Sequence, residues 1–266
     1  MVRRRRLDAE LVRRHLAPSR EQAACFIAAG RVLVAGRPAT KAATGVDADT
    51  PLVVRPAPDG APDYVSRGGH KLAAALAAFP VDPRGKRCLD AGASTGGFTD
   101  VLLRAGAAHV IAVDVGYGQL AWALRTDPRV RVLDRTNVRH LEPAAIGGPA
   151  DLVVADLSFI GLPVVLPALR ACTGTDGNLI TLVKPQFEVG RDRLGPGGVV
   201  RDPALWSSAI GRVAEEAARV GLVARGLVPS PLPGPAGNVE FLLWLSPVGD
   251  AVDVDTAIAA AIRAAP

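Results

Sequence analysis

Three observations predict an α/β fold: a doubly wound, Rossmann-like sheet of seven mostly parallel strands, behind a small α+β module. Short apolar runs alternate with helical patterns from about Lys71 onward. A glycine-rich segment, Gly92 to Gly97, follows the first of those runs. The excess positive charge is confined to the N-terminal segment, which separates it in character from the rest. With 49% hydrophobic and 21% charged residues over 266 positions the chain can bury a proper core, which excludes a disordered protein.

The N-terminal module reads from its helix signals. Leu7, Leu11, Val12 and Leu16 have helical spacing. Ser19 to Gln22 fits an S-x-x-Q capping box behind Pro18, with Ala23, Phe26 and Ile27 on one helical face beyond it. Gly30 suits a left-handed stop, Val32 and Val34 alternate as a short strand, Gly36-Arg37-Pro38 turns, and Leu52-Val53-Val54 forms another strand. The run Pro56 to Pro62 reads as a linker.

The larger part alternates strand and helix. Arg87 to Asp90 is the first strand, Thr99 to Arg104 a helix, and Val110 to Val113 a strand ending at Asp114. Val130 to Leu133, Leu152 to Ala155 (ending at Asp156) and Leu179 to Val183 (ending at Lys184) follow. A helix over 209–220 precedes two closing strands, Leu222 to Val228 and Val239 to Leu245. Right-handed crossovers place helices on both faces of such a sheet, and ligands bind beyond the carboxyl ends of its strands.

Charge and composition narrow the function. Residues 1–41 hold ten basic groups against three acids, whereas the whole chain has 31 basic and 26 acidic groups. An excess of that density is the footprint of a polyanion, although a solvated arginine tail explains Arg3 to Arg6 equally well. The longest apolar candidate for a membrane span, Leu157 to Leu169, is short and carries Pro163 and Pro167, so no membrane association is expected. The N-terminal arginines lead into charged residues and not an apolar stretch, unlike a signal peptide. Cys25, Cys88 and Cys172 lack paired spacing, so neither a disulfide framework nor a metal site is expected, and the cytoplasm is the natural compartment.

Gly92-x-x-x-Gly96-Gly97 is not a phosphate-cradling P-loop, and its match to a dinucleotide fingerprint is weak. Asp114, at the end of the second strand, is placed to accept both hydroxyls of a ribose. A glycine loop and a ribose acid without phosphate machinery suit adenosine joined to an uncharged or cationic tail, such as S-adenosylmethionine. A tight strand–helix turn beside a solvated acid explains the same residues without a ligand.

Lysine usage is sharper. The chain has 31 Lys and Arg residues, of which only Lys41, Lys71, Lys86 and Lys184 are lysine. In so arginine-rich a sequence a retained lysine marks a place where a compact charge or a removable proton is needed. Lys184 follows an apolar strand and precedes Pro185, Asp156 ends the neighbouring strand, Glu240 opens the last strand and Lys71 precedes the first. This Lys-Asp-Lys-Glu set suits methyl transfer to a ribose 2′-hydroxyl, a poor nucleophile that needs a base or a charge-assisted acceptor. Two structural ion pairs at strand ends are the competing reading.

These strings carry a resemblance. Arg6-Leu7-Asp8, Ser19-Arg20, Gly30-Arg31-Val32 and Lys41 resemble the S-four RNA-binding domain, named for a ribosomal protein. Ser66-Arg67-Gly68-Gly69-His70-Lys71, Leu89 to Thr99, Asp114 to Leu120, Asp156-Leu157-Ser158-Phe159-Ile160, Val183 to Glu188 and Gly237-Asn238-Val239-Glu240 resemble the TlyA family, over nearly the whole chain. That family joins an S-four domain to an FtsJ-type, class I methyltransferase domain. The resemblance implies an RNA-binding domain over 1–61, a linker over 62–70 and a methyltransferase domain over 71–266. It implies S-adenosylmethionine-dependent 2′-O-methylation of cytidine in ribosomal RNA, with ribosomal RNA or subunits as partner and a monomer as the expected state.

Carried over residue by residue, the tetrad falls on Lys71, Asp156, Lys184 and Glu240. The cofactor contacts fall on Asp90, Gly92, Ala93, Ser94, Thr95, Gly96, Gly97, Phe98 and Asp114. Arg3, Arg4, Arg6, Arg13, Arg14, Arg20, Arg31, Lys41 and Arg67 are the expected RNA contacts. One departure stands out: the family's Arg-x-Trp-Val linker, associated with coupling of RNA and cofactor binding, is Pro62-Asp63-Tyr64-Val65 here. The competing functions are an RNA-binding assembly factor with a non-catalytic fold and, from an old family label, a membrane-lytic haemolysin.

Overall fold

Ser19 caps the second helix as its sequence predicts, with Oγ accepting from the Gln22 amide at 3.1 Å. A computed structural model describes residues 4–57, 60 and 62–265. In the N-terminal module, β1 (Arg5–Arg6) leads into α1 (Leu7–Arg13) and then α2 (Arg20–Ala28). Strands β2 (Val32–Val34), β3 (Arg37–Pro38), β4 (Gly45–Val46) and β5 (Leu52–Val54) follow. Strand β2 pairs antiparallel with β3 and β5, and β1 with β4. Leu7, Leu11, Phe26, Ile27 and Val32 form one small core. Arg37–Pro38 is a strand where a turn was expected. Ala35 and Gly36 both adopt positive φ, so the chain has completed a two-residue hairpin turn before Arg37.

The second part opens with α3 (Gly68–Ala78), a helix that the sequence reading lacked, because its two leading glycines are weak helix formers. Within the stretch 62–70 expected as a linker, Tyr64 and Val65 are buried in the core of this second part, and the Val65 amide donates to Asp100 Oδ2 at 2.9 Å. The alternation then runs β6 (Arg87–Ala91), α4 (Gly97–Arg104), β7 (His109–Val113), α5 (Trp122–Arg125), β8 (Val130–Leu133), α6 (Pro143–Ile146) and β9 (Ala150–Ala155). It continues with α7 (Leu162–Cys172), β10 (Thr173–Val183), α8 (Pro185–Glu188), α9 (Pro203–Arg219), β11 (Val223–Pro229), β12 (Phe241–Ser246) and α10 (Val254–Arg263). Helix α9 begins earlier than expected because Asp202 accepts from the Ala204 amide and Pro203 takes the first helical position.

The seven strands lie in the order β8-β7-β6-β9-β10-β12-β11, with β12 antiparallel to both its neighbours and the other pairings parallel. Successive strand residues face opposite sides, so the sheet feeds two cores. Leu89, Ile111, Val153 and Leu179 pack with Leu166 of α7, Ile210 of α9 and Ile258 of α10. Cys88, Val110, Leu152 and Ile180 pack with Leu72 of α3 and Leu102 of α4. Strand order reverses between β6 and β9, and this switch point opens a crevice at their carboxyl ends.

Candidate active site

The crevice is built first by Gly92, the residue after β6. Its φ of 86° is left-handed, and a Cβ there would lie 2.6 Å from the Asp156 carbonyl oxygen, so only glycine lets the two strand ends meet. Asp114, after β7, holds the loop from the other side. Its Oδ2 accepts from the Ser94 amide at 2.8 Å and its Oδ1 from the Gly116 amide at 2.7 Å. A cavity of about 480 Å³ lies here, lined by Gly92, Ser94, Asp114, Asn137, Leu157 and Phe159 among others.

Two expected loop residues do not reach a cavity wall. Gly96 packs against Leu120 and Leu124. Asp90 is fully buried, its Oδ2 accepting from Thr99 Oγ1 at 2.6 Å, and Oδ1 has no hydrogen-bond partner among the described residues. Burial pushes the Asp90 carboxyl up to about 7, with the Asp156 and Asp114 carboxylates adding to the rise and the Thr99 hydroxyl opposing it. Asp90 therefore supports the loop from beneath and does not face a ligand directly.

A second cavity of about 230 Å³ adjoins the first and shares Gly92, Ser94, Asp156 and Ser158 with it. Ala93, Thr95, Gly97 and Phe98 of the loop line it, as do Lys71 from α3 and Lys184 from the end of β10. Lys184 Nζ lies 2.6 Å from Asp156 Oδ1 and donates to Ser158 Oγ at 2.9 Å. Lys71 Nζ lies 2.5 Å from Glu240 Oε2, which stands behind it, just before β12. All four members of the expected tetrad are thus brought together as two amine–carboxylate pairs at one rim. Each amine is largely buried, so its countercharge offsets the loss of water around it.

A family model described as FtsJ-like methyltransferase matches residues 64–246, and an S4 domain model matches residues 5–50. The chain is 60% identical over 245 residues to the 16S/23S rRNA (cytidine-2'-O)-methyltransferase TlyA of Mycobacterium tuberculosis, covering 92% of this chain and 91% of that one. The chain belongs to the TlyA family. Another relative, named Hemolysin A, from Brachyspira hyodysenteriae, is 35% identical over 89% of this chain and 98% of its own length. A solved structure from Streptococcus thermophilus with a provisional hemolysin name has a TM-score of 0.78 and 38% identity, covering 99% of this chain and 96% of that one.

The basic residues of this TlyA-family chain divide by what they touch. Arg6 and Arg20 share Asp8, while Arg13 and Arg14 share Glu10. Hydrogen bonds from Arg6 and from Arg13 hold the Asp8 and Glu10 carboxyls down to about 2. Each acid thus serves two guanidiniums and leaves one surplus charge. Arg4 lies 3.5 Å from Asp47 and stays exposed, as do Lys41 and Arg67, the last lining the tetrad's cavity. Arg14 is turned onto the carbonyls of Thr50, Asp47 and Ala48.

Arg31 departs from the expected RNA set. It is buried under the Phe26 ring and bound to both oxygens of Asp63 at 2.7 Å and to the Arg55 carbonyl, so it joins the module to the segment ahead of α3. Arg3 lies outside the described residues. The sequence reading missed Ser158, Asn137, Gln119 and the Leu232–Pro233–Pro235 wall. None had a chemical signal of its own, although Ser158 follows a strand-end acid closely enough to have been inspected. Among the described residues no helix is long and apolar enough to cross a membrane, and no cluster of metal-ligating side chains occurs.

Proposed function

We propose that the chain uses S-adenosylmethionine to methylate the 2′-hydroxyl of cytidine in ribosomal RNA, with the N-terminal module docking on structured RNA. The observation that carries the proposal is the pair of amine–carboxylate contacts at one rim, next to a glycine-walled cavity with an acid at its far side. The 60% identity to an rRNA cytidine-2'-O-methyltransferase supplies the substrate class. A ribosomal substrate would make the cytoplasm its place of work.

The cavity fits such a cofactor in chemistry and shape. Asp114 keeps lone pairs for ribose hydroxyls while its backbone partners fix its orientation. Val138, Leu157, Ile160 and Val165 give an apolar wall for a purine. Asp156, shared by both cavities, stands with its partner Lys184 at the boundary where the cofactor's tail would cross. When bound, S-adenosylmethionine supplies an electrophilic methyl group carried on a sulfonium.

The chain's own residues then handle the hydroxyl. Lys184, fixed by Asp156 and Ser158, is aimed into the cavity to hold the 2′-oxygen. The hydroxyl proton would pass to the Asp156 carboxylate, which the Lys184 ammonium holds at the cavity wall. Lys71, held by Glu240, flanks the same space and keeps the ribose in place. Holding the ribose between these two amines in a site screened from water would supply much of the rate.

The test is to map 2′-O-methylated nucleotides in ribosomal RNA from cells with and without the gene. Loss of methylation at one or more cytidines is expected, and an unchanged methylation map would overturn the assignment.

A further inference from the structure

We infer that Gly234 is a positioning residue for Glu240, and through Glu240 for Lys71. The inference rests on the reading of the Lys71–Glu240 pair as part of the reacting site. Glu240 is buried, with only 1% of its surface exposed, and its two oxygens are held in different ways. Oε2 meets Lys71 Nζ at 2.5 Å, whereas Oε1 has no hydrogen-bond partner among the described residues. Gly234 occupies the space beside Oε1. A Cβ built on it would lie 2.6 Å from Oε1 and 3.3 Å from Cδ, far inside contact distance. Its φ lies outside the left-handed region, so conformational freedom is not what requires glycine here.

The loop carrying Gly234 cannot easily retreat. The Gly234 amide donates to the Asn238 carbonyl at 2.8 Å, and the Gly237 amide donates back to the Gly234 carbonyl at 2.9 Å. Asn238 is itself buried, accepting from the Val200 amide at 2.9 Å and donating to the Gly198 carbonyl at 3.1 Å. Pro233 and Pro235 flank the glycine, line the tetrad's cavity and have no amide hydrogen to offer Oε1. The carboxylate, by contrast, is the far end of a flexible side chain with one oxygen unbonded. A methyl group at position 234 would therefore be relieved by turning the Glu240 carboxylate and not by moving the loop, at the cost of the buried contact with Lys71. The displaced group is the one that holds Lys71.

Full-length Gly234→Ala, Glu240→Gln and the double variant, assayed for methyl transfer to ribosomal RNA, test this. Small misplacements at a reacting centre are costly, so Gly234→Ala alone should lower kcat by about tenfold or more. Its affinity for S-adenosylmethionine and its RNA binding should stay at parental values, and its melting temperature should fall no further than that of Glu240→Gln. A change that acts only through Glu240 is non-additive with its loss, so Gly234→Ala should alter kcat by less than about twofold in the Glu240→Gln background. Full activity of Gly234→Ala, a loss that repeats undiminished in the Glu240→Gln background, or a melting temperature well below that of Glu240→Gln would each overturn the role of Gly234. Parental activity of Glu240→Gln alone would instead overturn the reading of the tetrad.

Discussion

Lys184 Nζ stands 2.6 Å from Asp156 Oδ1, an ion pair closed between the carboxyl ends of the adjacent strands β9 and β10. The register of those strands carries both side chains to the mouth of the crevice. Because the ends of β6 and β9 also meet there, the same pair stands beside the glycine loop, where a methyl donor would lie.

Replacing Lys184 with alanine removes the group proposed to hold the hydroxyl while leaving the glycine loop and the basic module untouched. Methyl incorporation into ribosomal RNA should fall by roughly 10²-fold or more, the usual scale for a positioned acid–base group. Filter binding should show RNA affinity unchanged. Parental turnover in this variant would refute the assignment of Lys184.

Arg20 and Arg31 should part company in RNA binding. Arg20 shares Asp8 with Arg6 and keeps its side chain more than half exposed, whereas Arg31 is buried against Asp63. Arg20→Ala should weaken binding and reduce the slope of log affinity against log salt by about one. Arg31→Ala should leave that slope alone and lower the melting temperature, since it removes the bidentate bond to Asp63, the bond to the Arg55 carbonyl and the contact with Phe26. A salt titration of both variants beside thermal melts would decide. An equal loss of slope would put Arg31 on the RNA-facing surface after all.

Asp90 should make stability fall as pH rises from about 4 to about 7. Its carboxyl is raised from 3.8 to about 7, chiefly by burial, so between those values the folded chain holds a proton that the unfolded chain has released. Stability from this group is complete below the lower value and is lost as pH rises through the upper one. Asp90→Asn keeps an acceptor for the Thr99 hydroxyl and cannot ionise. The melting temperature of the parent should decline relative to that of the variant between about pH 4 and pH 7 and level off above. Parallel melting curves across that range would show that Asp90 does not titrate there.

Much of this molecule was legible before folding because local rules were obeyed. The apolar runs ending at Asp114, Asp156 and Lys184 became β7, β9 and β10, each with its polar residue directly after the strand. The cap at Ser19 and the left-handed Gly30 follow from preferences that act over a few residues. Scarcity of lysine singled out Lys71 and Lys184 without any coordinates. Helix α3 escaped because Gly68 and Gly69 disguise its first turn, although the apolar residues after them pack as a helix should.

The sequence by itself determined the strand and helix alternation and the residue types at the strand ends, since each depends on local pattern and side-chain chemistry, while the grouping of Lys71, Asp156, Lys184 and Glu240 as a tetrad came from the family resemblance. Only the tertiary structure decided which groups meet. Lys71 and Glu240 are 169 positions apart and pair because strand order brings β12 beside β10, beneath α3. It also turned Arg31 inward to Asp63, withdrew Asp90 from the cavity and set Gly234 against Glu240. A charge or a glycine in a sequence states what it can do. Burial, and the partner left within reach after packing, determines what it does.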